Sequence, residues 1–398
     1  MIWPVLGLFL VSLVLAAAAC AVVRRVSLRT GAVDTAPMPG QVKMPTRRVP
    51  NTGGVGLFLA IALPLVACVA LAHALGDGSD LRGTAFAAAI EHLPGVREQT
   101  GLALGLLGCV LGLHVLGLID DRRPMGPGVK LAVMGLPAVV AATALGTRLL
   151  DLDVLRDLAG GVPVVSIAVS VLWFVAVTNA MNFIDNMDGC AGGVGAIAAA
   201  GLGGAALLSG QWFVASLAAV LAGACLGFLI HNYPRARLFM GDGGSLVLGF
   251  LLAFLAARVT YIPHHQVSFV TPSGVRETAL VSSTPWYALL MPVCALGVPL
   301  YDFASVTLLR LRQGKSPFRG DLQHLSHRLV KRGLTKPVAA AVIWAFTGVC
   351  AALGLLLTRA SPGEAGLIAL VLVLVFGILA AIEFGTSARA GGDEMLRG

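Results

Sequence analysis

Two aspartates and three asparagines fall within NAMNFIDNMDG, residues 179–189, directly after the apolar run VPVVSIAVSVLWFVAV at 162–177. Ionisable side chains beside lipid-embedded segments are costly and usually functional. Three further stretches share that character. GLIDDRRP (117–124) ends an apolar run on adjacent carboxylates, Asp120 and Asp121. FMGDGGSLVLGF (239–250) is a glycine-rich turn with one acid, Asp242, leading into a helix. RLRQGKSPFRGDLQHLSHRLVKRG (310–333) combines many bases with His324 and His327.

Each stretch has its own chemistry. Adjacent residues on a helix point about 100° apart, so Asp120 and Asp121 are expected to do different jobs. Like charges this close raise one pKa unless a cation neutralises them, and a divalent metal is the obvious cation. Asn182, Asp185 and Asp188 recur every three residues, the spacing of helical neighbours; helix capping is the plainer alternative. Free backbone N–H groups in the glycine-rich turn suit a phosphate, and Asp242 could hold magnesium through oxygen. The basic loop with its histidines suits a polyphosphate, or serves only as a cytoplasmic anchor. Carboxylates, a glycine-rich turn and a basic loop on one membrane face describe a magnesium-dependent phosphoryl-transfer site, in which metal bridges phosphates and cations hold developing charge.

These residues must be positioned by a membrane scaffold. The 398 residues are 57% hydrophobic and 12% charged, too few charges to cover a soluble surface. Eleven apolar blocks approach the length needed to span a bilayer: 5–23, 53–75, 99–119, 129–147, 163–181, 190–208, 212–231, 244–262, 285–308, 338–357 and 366–384. The expected fold is therefore all-α, a polytopic integral membrane protein with about eleven transmembrane helices in a single domain over 1–398. LAAAAC (15–20) looks like a lipoprotein cleavage site, but MIWP lacks a positive leader, so an uncleaved first helix is expected. The seven cysteines are scattered singly with no C-x-x-C and read as reduced packing residues. Small residues every three or four positions in GLALGLLGCVLG (101–112) predict close helix approach.

Lys and Arg are retained on the cytoplasmic side. Of 28, only Arg82, Arg97, Arg148, Arg156, Arg258, Arg276 and Arg359 fall in the alternate set of loops. The N-terminus is thus expected outside and the C-terminus in the cytoplasm. Loops 24–52, 120–128, 182–189, 232–243 and 309–337 then share the cytoplasmic face and form the site. Asp302 lies within two turns of that face. A secondary transporter would keep its acids near the bilayer midplane in repeated broken helices, and no repeat is visible. An intramembrane aspartyl protease, suggested by LYDF (300–303) and MGDG (240–243), would leave Asp120, Asp185 and the basic loop idle.

In combination the motifs resemble the polyprenyl-phosphate N-acetylhexosamine-1-phosphate transferases, glycosyltransferase family 4. GLIDDRRPMGPGVKL matches the family's aspartate pair followed by a lysine, here Lys130. NAMNFIDNMDGCAGG matches N-x-x-N-x-x-D-G-x-D-G-x-A-G, with Asn186 in place of a glycine. FMGDGGSLVLG matches G-D-x-G-S-x-x-x-G. HLSH stands where the N-acetylglucosamine-type members have H-x-H-H, with Ser326 in the middle position. RRVPNTGG (47–54) resembles the early P-x-x-G-G turn. The absent H-H-H run places the chain nearer the undecaprenyl-phosphate N-acetylglucosamine-1-phosphate branch than the phospho-N-acetylmuramoyl-pentapeptide transferases of peptidoglycan synthesis, which stand as the alternative.

The resemblance implies that undecaprenyl or decaprenyl phosphate attacks the β-phosphate of a UDP-N-acetylhexosamine, most simply UDP-GlcNAc, releasing UMP in the first membrane step of a cell-envelope glycan. It implies Mg2+, replaceable by Mn2+, in an inner-membrane enzyme whose active site faces the cytoplasm. A homodimer is compatible with it and nucleic acid has no part. By carry-over, Asp242 is the best metal ligand, and Asp120 and Asp121 handle metal or lipid phosphate; these three are the catalytic set. Asn182, Asp185 and Asp188 line the nucleotide–sugar site and Phe239 lies against the uracil. Lys130, His324, His327 and Arg328 hold phosphates, and Arg47 and Arg48 join the substrate-binding set. A phosphate monoester is already mostly dianionic at neutral pH, so Asp120 need only orient it or complete its deprotonation.

Overall fold

The computed structural model describes residues 2–32, 49–76, 90, 92–149, 163–260, 265–270, 276–281, 286–316 and 323–384. In lipid every backbone polar group must be satisfied within its own segment, so apolar blocks fold as helices. They do so as α1 (Ile2–Thr30), α2 (Gly53–Ala74), a short α3 (Leu93–Glu98), α4 (Thr100–Arg122), α5 (Pro127–Ala142), α6 (Val164–Ile184), α7 (Cys190–Leu208), α8 (Trp212–Asn232) and α9 (Asp242–Val259). Then follow α10 (Leu290–Ala295), α11 (Gly297–Arg312), a short α12 (Leu325–Lys331), α13 (Lys336–Leu356) and α14 (Pro362–Phe384). Among the described residues nine helices are long and apolar enough to cross a membrane, ten if a bent pair counts as one span. All eleven blocks are helical, the fourth as the shorter α5.

Two features depart from the expectation. The ninth block is not one helix. It breaks at Leu296, and the segments Tyr287–Ala295 and Gly297–Arg312 meet at 78°. Pro299 lies in the first turn of α11, where its missing N–H costs nothing but cannot continue the helix before it. Among the described residues there is also one pair of antiparallel strands, β1 (His265–Val270) and β2 (Arg276–Val281), which follows α9 in the chain. The seven cysteines are all free, and only Cys68 is not fully buried.

Helix α9 is the axis of the bundle. Of its 18 residues 89% are buried, against 22% in the most apolar windows of α1 and α14, so α9 is shielded from lipid and can carry glycines where neighbours press closest. A Cβ on Gly54 would sit 2.3 Å from Gly244 N, one on Gly117 2.4 Å from the Asp242 carbonyl, and one on Gly249 2.7 Å from Thr178 Cα. Thus α2, α4 and α6 touch α9 backbone to backbone. The GLALGLLGCVLG stretch does not work this way: Gly101, Gly108 and Gly112 have nothing within 4 Å, and Gly105 meets only the Leu145 side chain. Small-residue spacing permits close approach without saying which face is used, and here Gly117, one turn further on, is the contact.

Gly117→Ala is therefore expected to be costly, because the atoms in its way are backbone. Overpacking of this kind costs about 1–3 kcal/mol, and it would push Asp242 away from α4. A fall in the detergent unfolding midpoint together with lost turnover is the expected result; Gly108→Ala, which meets open space, should change neither.

Candidate active site

Successive spans alternate in direction, so the C-terminal ends of α4 and α6 and the N-terminal ends of α5 and α9 meet at one end of the bundle. Residues 50–54 lie against 239–240 there: Phe239 N donates to Pro50 O at 2.8 Å, and Gly53 N and Gly54 N donate to Phe239 O and Met240 O at 2.8 Å. Gly241, at φ 68°, turns this segment into α9, a left-handed conformation that favours glycine.

Asp120 and Asp121 face different partners. The Asp121 carboxylate accepts Asn51 Nδ2 at 2.9 Å and the first backbone N–H groups of α9, Asp242 N at 3.1 Å and Gly243 N at 3.3 Å. It caps α9 from another helix, satisfying N–H groups that have no partner within their own helix. From the same helix, His114 Nδ1 donates to Gly243 O at 2.7 Å, its ring stacked on Phe58 at 4.6 Å between centroids. Asp120 instead accepts Met125 N at 2.6 Å and Lys130 Nζ at 2.9 Å. Lys130 also pairs with Asp242 Oδ2, and Asn182 Nδ2 reaches Asp242 Oδ1 at 2.7 Å and Ser245 Oγ at 2.8 Å. Asp120, Lys130, Asp242 and Asn182 thus form one chain of contacts from α4, α5, α9 and α6.

The 185–189 loop adds two acids. Asp188 accepts Ala236 N at 2.9 Å, and Gly189 N donates to Asn232 Oδ1 at 2.7 Å. Burial, then the negative charges of Asp242, Asp121 and Asp188, pushes the Asp185 carboxyl well above the usual range. Five carboxylates converge, and Lys130 is the cation that bridges two of them. Among the described residues no three acidic, His or Cys side chains are gathered at ligand distance; the Lys130 ammonium pairs with both Asp120 and Asp242. The donor chemistry nevertheless fits a divalent cation: hard oxygen ligands and unbalanced negative charge.

Helix α12 closes one side. Its N-terminus rests on Asp302, fully buried in α11: His324 Nδ1 donates to Asp302 Oδ2 at 2.9 Å and Leu325 N to Asp302 Oδ1 at 2.6 Å. His324 lies edge-on to Phe183 of α6, centroids 5.4 Å apart. Arg328 points into the protein, where it pairs with Glu383 of α14, donates to Ser305 Oγ at 2.7 Å and lies 3.7 Å from Asp302. Arg328 therefore ties α14 to α12. Arg47 and Arg48 lie outside the described residues.

Burial, then His324, Lys336 and Lys331, pushes the His327 imidazole down to about 4 against the opposing pull of Asp302. The ring is neutral at neutral pH. Between pH 6.5 and 4 the unfolded chain binds the extra proton, so stability falls as pH falls through this window. His327→Gln should flatten the acid side of a plot of unfolding midpoint against pH.

A cavity of about 990 Å3 opens at the other end of the bundle, lined by residues such as Leu8, Pro64, Leu71, Trp212 and Phe213. It is apolar and remote from the carboxylates, so it is not the reactive site. Several site residues were not singled out from sequence. Asn51 lies in the quoted RRVPNTGG, His114 is a polar residue two turns before Asp121 on an apolar helix, and Glu383 is an acid in the last apolar block; position in a lipid-embedded segment was the usable signal for the last two.

Residues 103–260 match the pattern described as Glycosyl transferase family 4. The chain is similar to the probable undecaprenyl-phosphate N-acetylglucosaminyl 1-phosphate transferase of Bacillus subtilis (strain 168), 24% identical over 375 residues, 94% of this chain and 90% of the relative. It is 32% identical over 346 residues to the decaprenyl-phosphate N-acetylglucosaminephosphotransferase of Mycobacterium tuberculosis (strain H37Rv), covering 83% of this chain and 76% of that one. The undecaprenyl-phosphate alpha-N-acetylglucosaminyl 1-phosphate transferase of Escherichia coli (strain K12) is 27% identical over 261 residues, 63% and 64% of the two chains.

Proposed function

The chain belongs to glycosyl transferase family 4, and we propose that it transfers N-acetylglucosamine 1-phosphate from UDP-GlcNAc to undecaprenyl or decaprenyl phosphate, releasing UMP at the cytoplasmic face of the plasma membrane. The observation that carries this reading is the contact chain Asp120–Lys130–Asp242–Asn182 at one end of the bundle, where an acceptor in the membrane can meet a donor from water. Most described Lys and Arg residues outside the site lie at this same end, including Arg24, Arg122, Arg237, Arg312 and Lys331, which supports a cytoplasmic assignment.

Phosphoryl transfer asks a protein mainly for positioning and charge stabilisation. Lys130 holds a phosphate oxygen where Asp120 and Asp242 now share its ammonium. Asp242 and Asp120 would hold magnesium, which when bound supplies charge neutralisation between the phosphates. Asp121 and His114 fix the first turn of α9 and so set where Asp242 points. Asn182 orients Asp242 from the other side. Asp185 and Asp188 line the donor side, Phe239 offers a ring for uracil, and His324 and His327 close the polyphosphate side. Because the acceptor phosphate is mostly dianionic already, Asp120 orients it or removes the last proton.

The test is UMP release by the purified protein in detergent with undecaprenyl phosphate and magnesium, comparing UDP-GlcNAc with UDP-MurNAc-pentapeptide, with and without EDTA. Magnesium-dependent release from UDP-GlcNAc is the expected result. Release from the muramoyl substrate alone would overturn the choice of sugar, and undiminished release in EDTA would overturn the role given to metal.

A further inference from the structure

The chain departs from its family's pattern at two positions, Asn186 where a glycine is usual and Ser326 where a histidine is usual. They are 140 residues apart, and they touch: the Ser326 hydroxyl donates to Asn186 Oδ1. The other end of the Asn186 amide is also committed, Nδ2 donating to Phe183 O at 2.5 Å at the end of α6, so the amide oxygen is held toward Ser326. Ser326 is 1% exposed, in a space bounded by the 185–189 loop. A hydroxyl buried without an acceptor is costly, so Ser326 needs a partner such as Asn186.

The exchange is reciprocal in volume. The family pattern pairs a large side chain on α12 with a glycine in the loop; this chain pairs a small side chain with an amide. Swaps that conserve volume are tolerated, whereas changing one side alone either overfills or empties the space. The contact also lies between the two functional groups of side chains. Asn186 immediately follows Asp185 and is two residues before Asp188; Ser326 is flanked by His324 and His327, with His324 anchored on Asp302 and set against Phe183.

We propose that Asn186 and Ser326 are a matched pair of positioning residues, which locks the aspartate loop to the histidine helix with a neutral hydrogen bond where the family pattern places a histidine. The pair fixes the distance between the acids that line the donor site and the histidines that close it. Its effect should therefore appear in donor binding. The proposal rests on the transferase reading.

The experiment is two double-mutant cycles on the full-length protein in detergent, reading KM for UDP-GlcNAc, kcat for UMP release and the unfolding midpoint. The first cycle compares Asn186→Gly, Ser326→His and the two combined. Each single variant should raise KM about tenfold, the scale of coupling between touching residues, with a smaller change in kcat; the double variant should return KM close to the parent value. The second cycle, Asn186→Ala and Ser326→Ala, removes the bond without adding bulk and covers the case in which Ser326→His fails to fold. Here the double variant should cost no more than the worse single. Effects that multiply in both cycles, or single variants with unchanged KM, would overturn the pairing. The midpoint needs no substrate: if the parent protein does not release UMP from UDP-GlcNAc, the transferase reading fails, while coupled midpoints would still report the lock.

Discussion

Asp242→Asn is expected to lower UMP release on the order of 10³-fold while leaving the protein folded. Asp242 opens α9, and its two oxygens are shared between Asn182 at 2.7 Å and the Lys130 ammonium. Asparagine fits the same volume, but an amide has only one acceptor oxygen. It must turn its NH2 toward either Lys130 or Asn182, both of which are donors. The variant also removes a negative charge from a helix N-terminus and one of the two carboxylates on Lys130, together a loss of about 2 kcal/mol, too small to unfold the bundle. The large effect should be in kcat, because the interaction is needed where charge develops between the phosphates. Steady-state kinetics at saturating magnesium and donor would check it. A rise in KM with kcat intact would mean that Asp242 only binds substrate. Asp120→Asn is the useful companion: turnover retained at high pH and lost at low pH supports deprotonation by Asp120, and a uniform loss supports binding.

The spans and the placement of the acids were legible because both follow from the solvent. Lipid forces long apolar helices, and their alternation alone sends Asp120, Asp185 and Asp242 to one end. The division of labour between Asp120 and Asp121 followed from helical geometry, yet their partners did not. Asn51 lies 70 residues from Asp121 and Gly243 lies 129 from His114, and no local pattern encodes contacts over such separations. The 78° break before Asp302 was hidden because a continuous apolar run says nothing about direction. Arg328, expected by carry-over to hold a phosphate, turns instead to Glu383, Ser305 and Asp302. Its partner Glu383 lies in the last helix, and a lone acid there gave no hint of which cation it would neutralise. The two departures from the family pattern, at Asn186 and Ser326, fall in separate motifs 140 residues apart. Only the fold shows that each sits on the other.

Lys130→Met should make stability depend on divalent metal, which tests the cation role apart from turnover. Removing one partner of a buried ion pair leaves an uncompensated charge and costs about 3–5 kcal/mol. Here the Lys130, Asp120 and Asp242 side chains keep 16%, 11% and 25% of their exposure, so solvent screens part of this and about 2 kcal/mol is a better expectation. Methionine preserves the apolar stem, so the loss is that of the charge. In EDTA the unfolding midpoint should fall by about 2 °C. Adding magnesium should recover most of it, because a divalent cation can then sit between Asp120 and Asp242, where the ammonium had been. Turnover should stay about 10²–10³-fold down even with magnesium, since the metal neutralises the aspartates but does not replace the phosphate donor. The parent protein, with Lys130 in place, should show a smaller magnesium effect. If magnesium leaves the Lys130→Met midpoint unchanged, Asp120 and Asp242 do not gather a divalent cation, and Lys130 alone must supply the positive charge at this site.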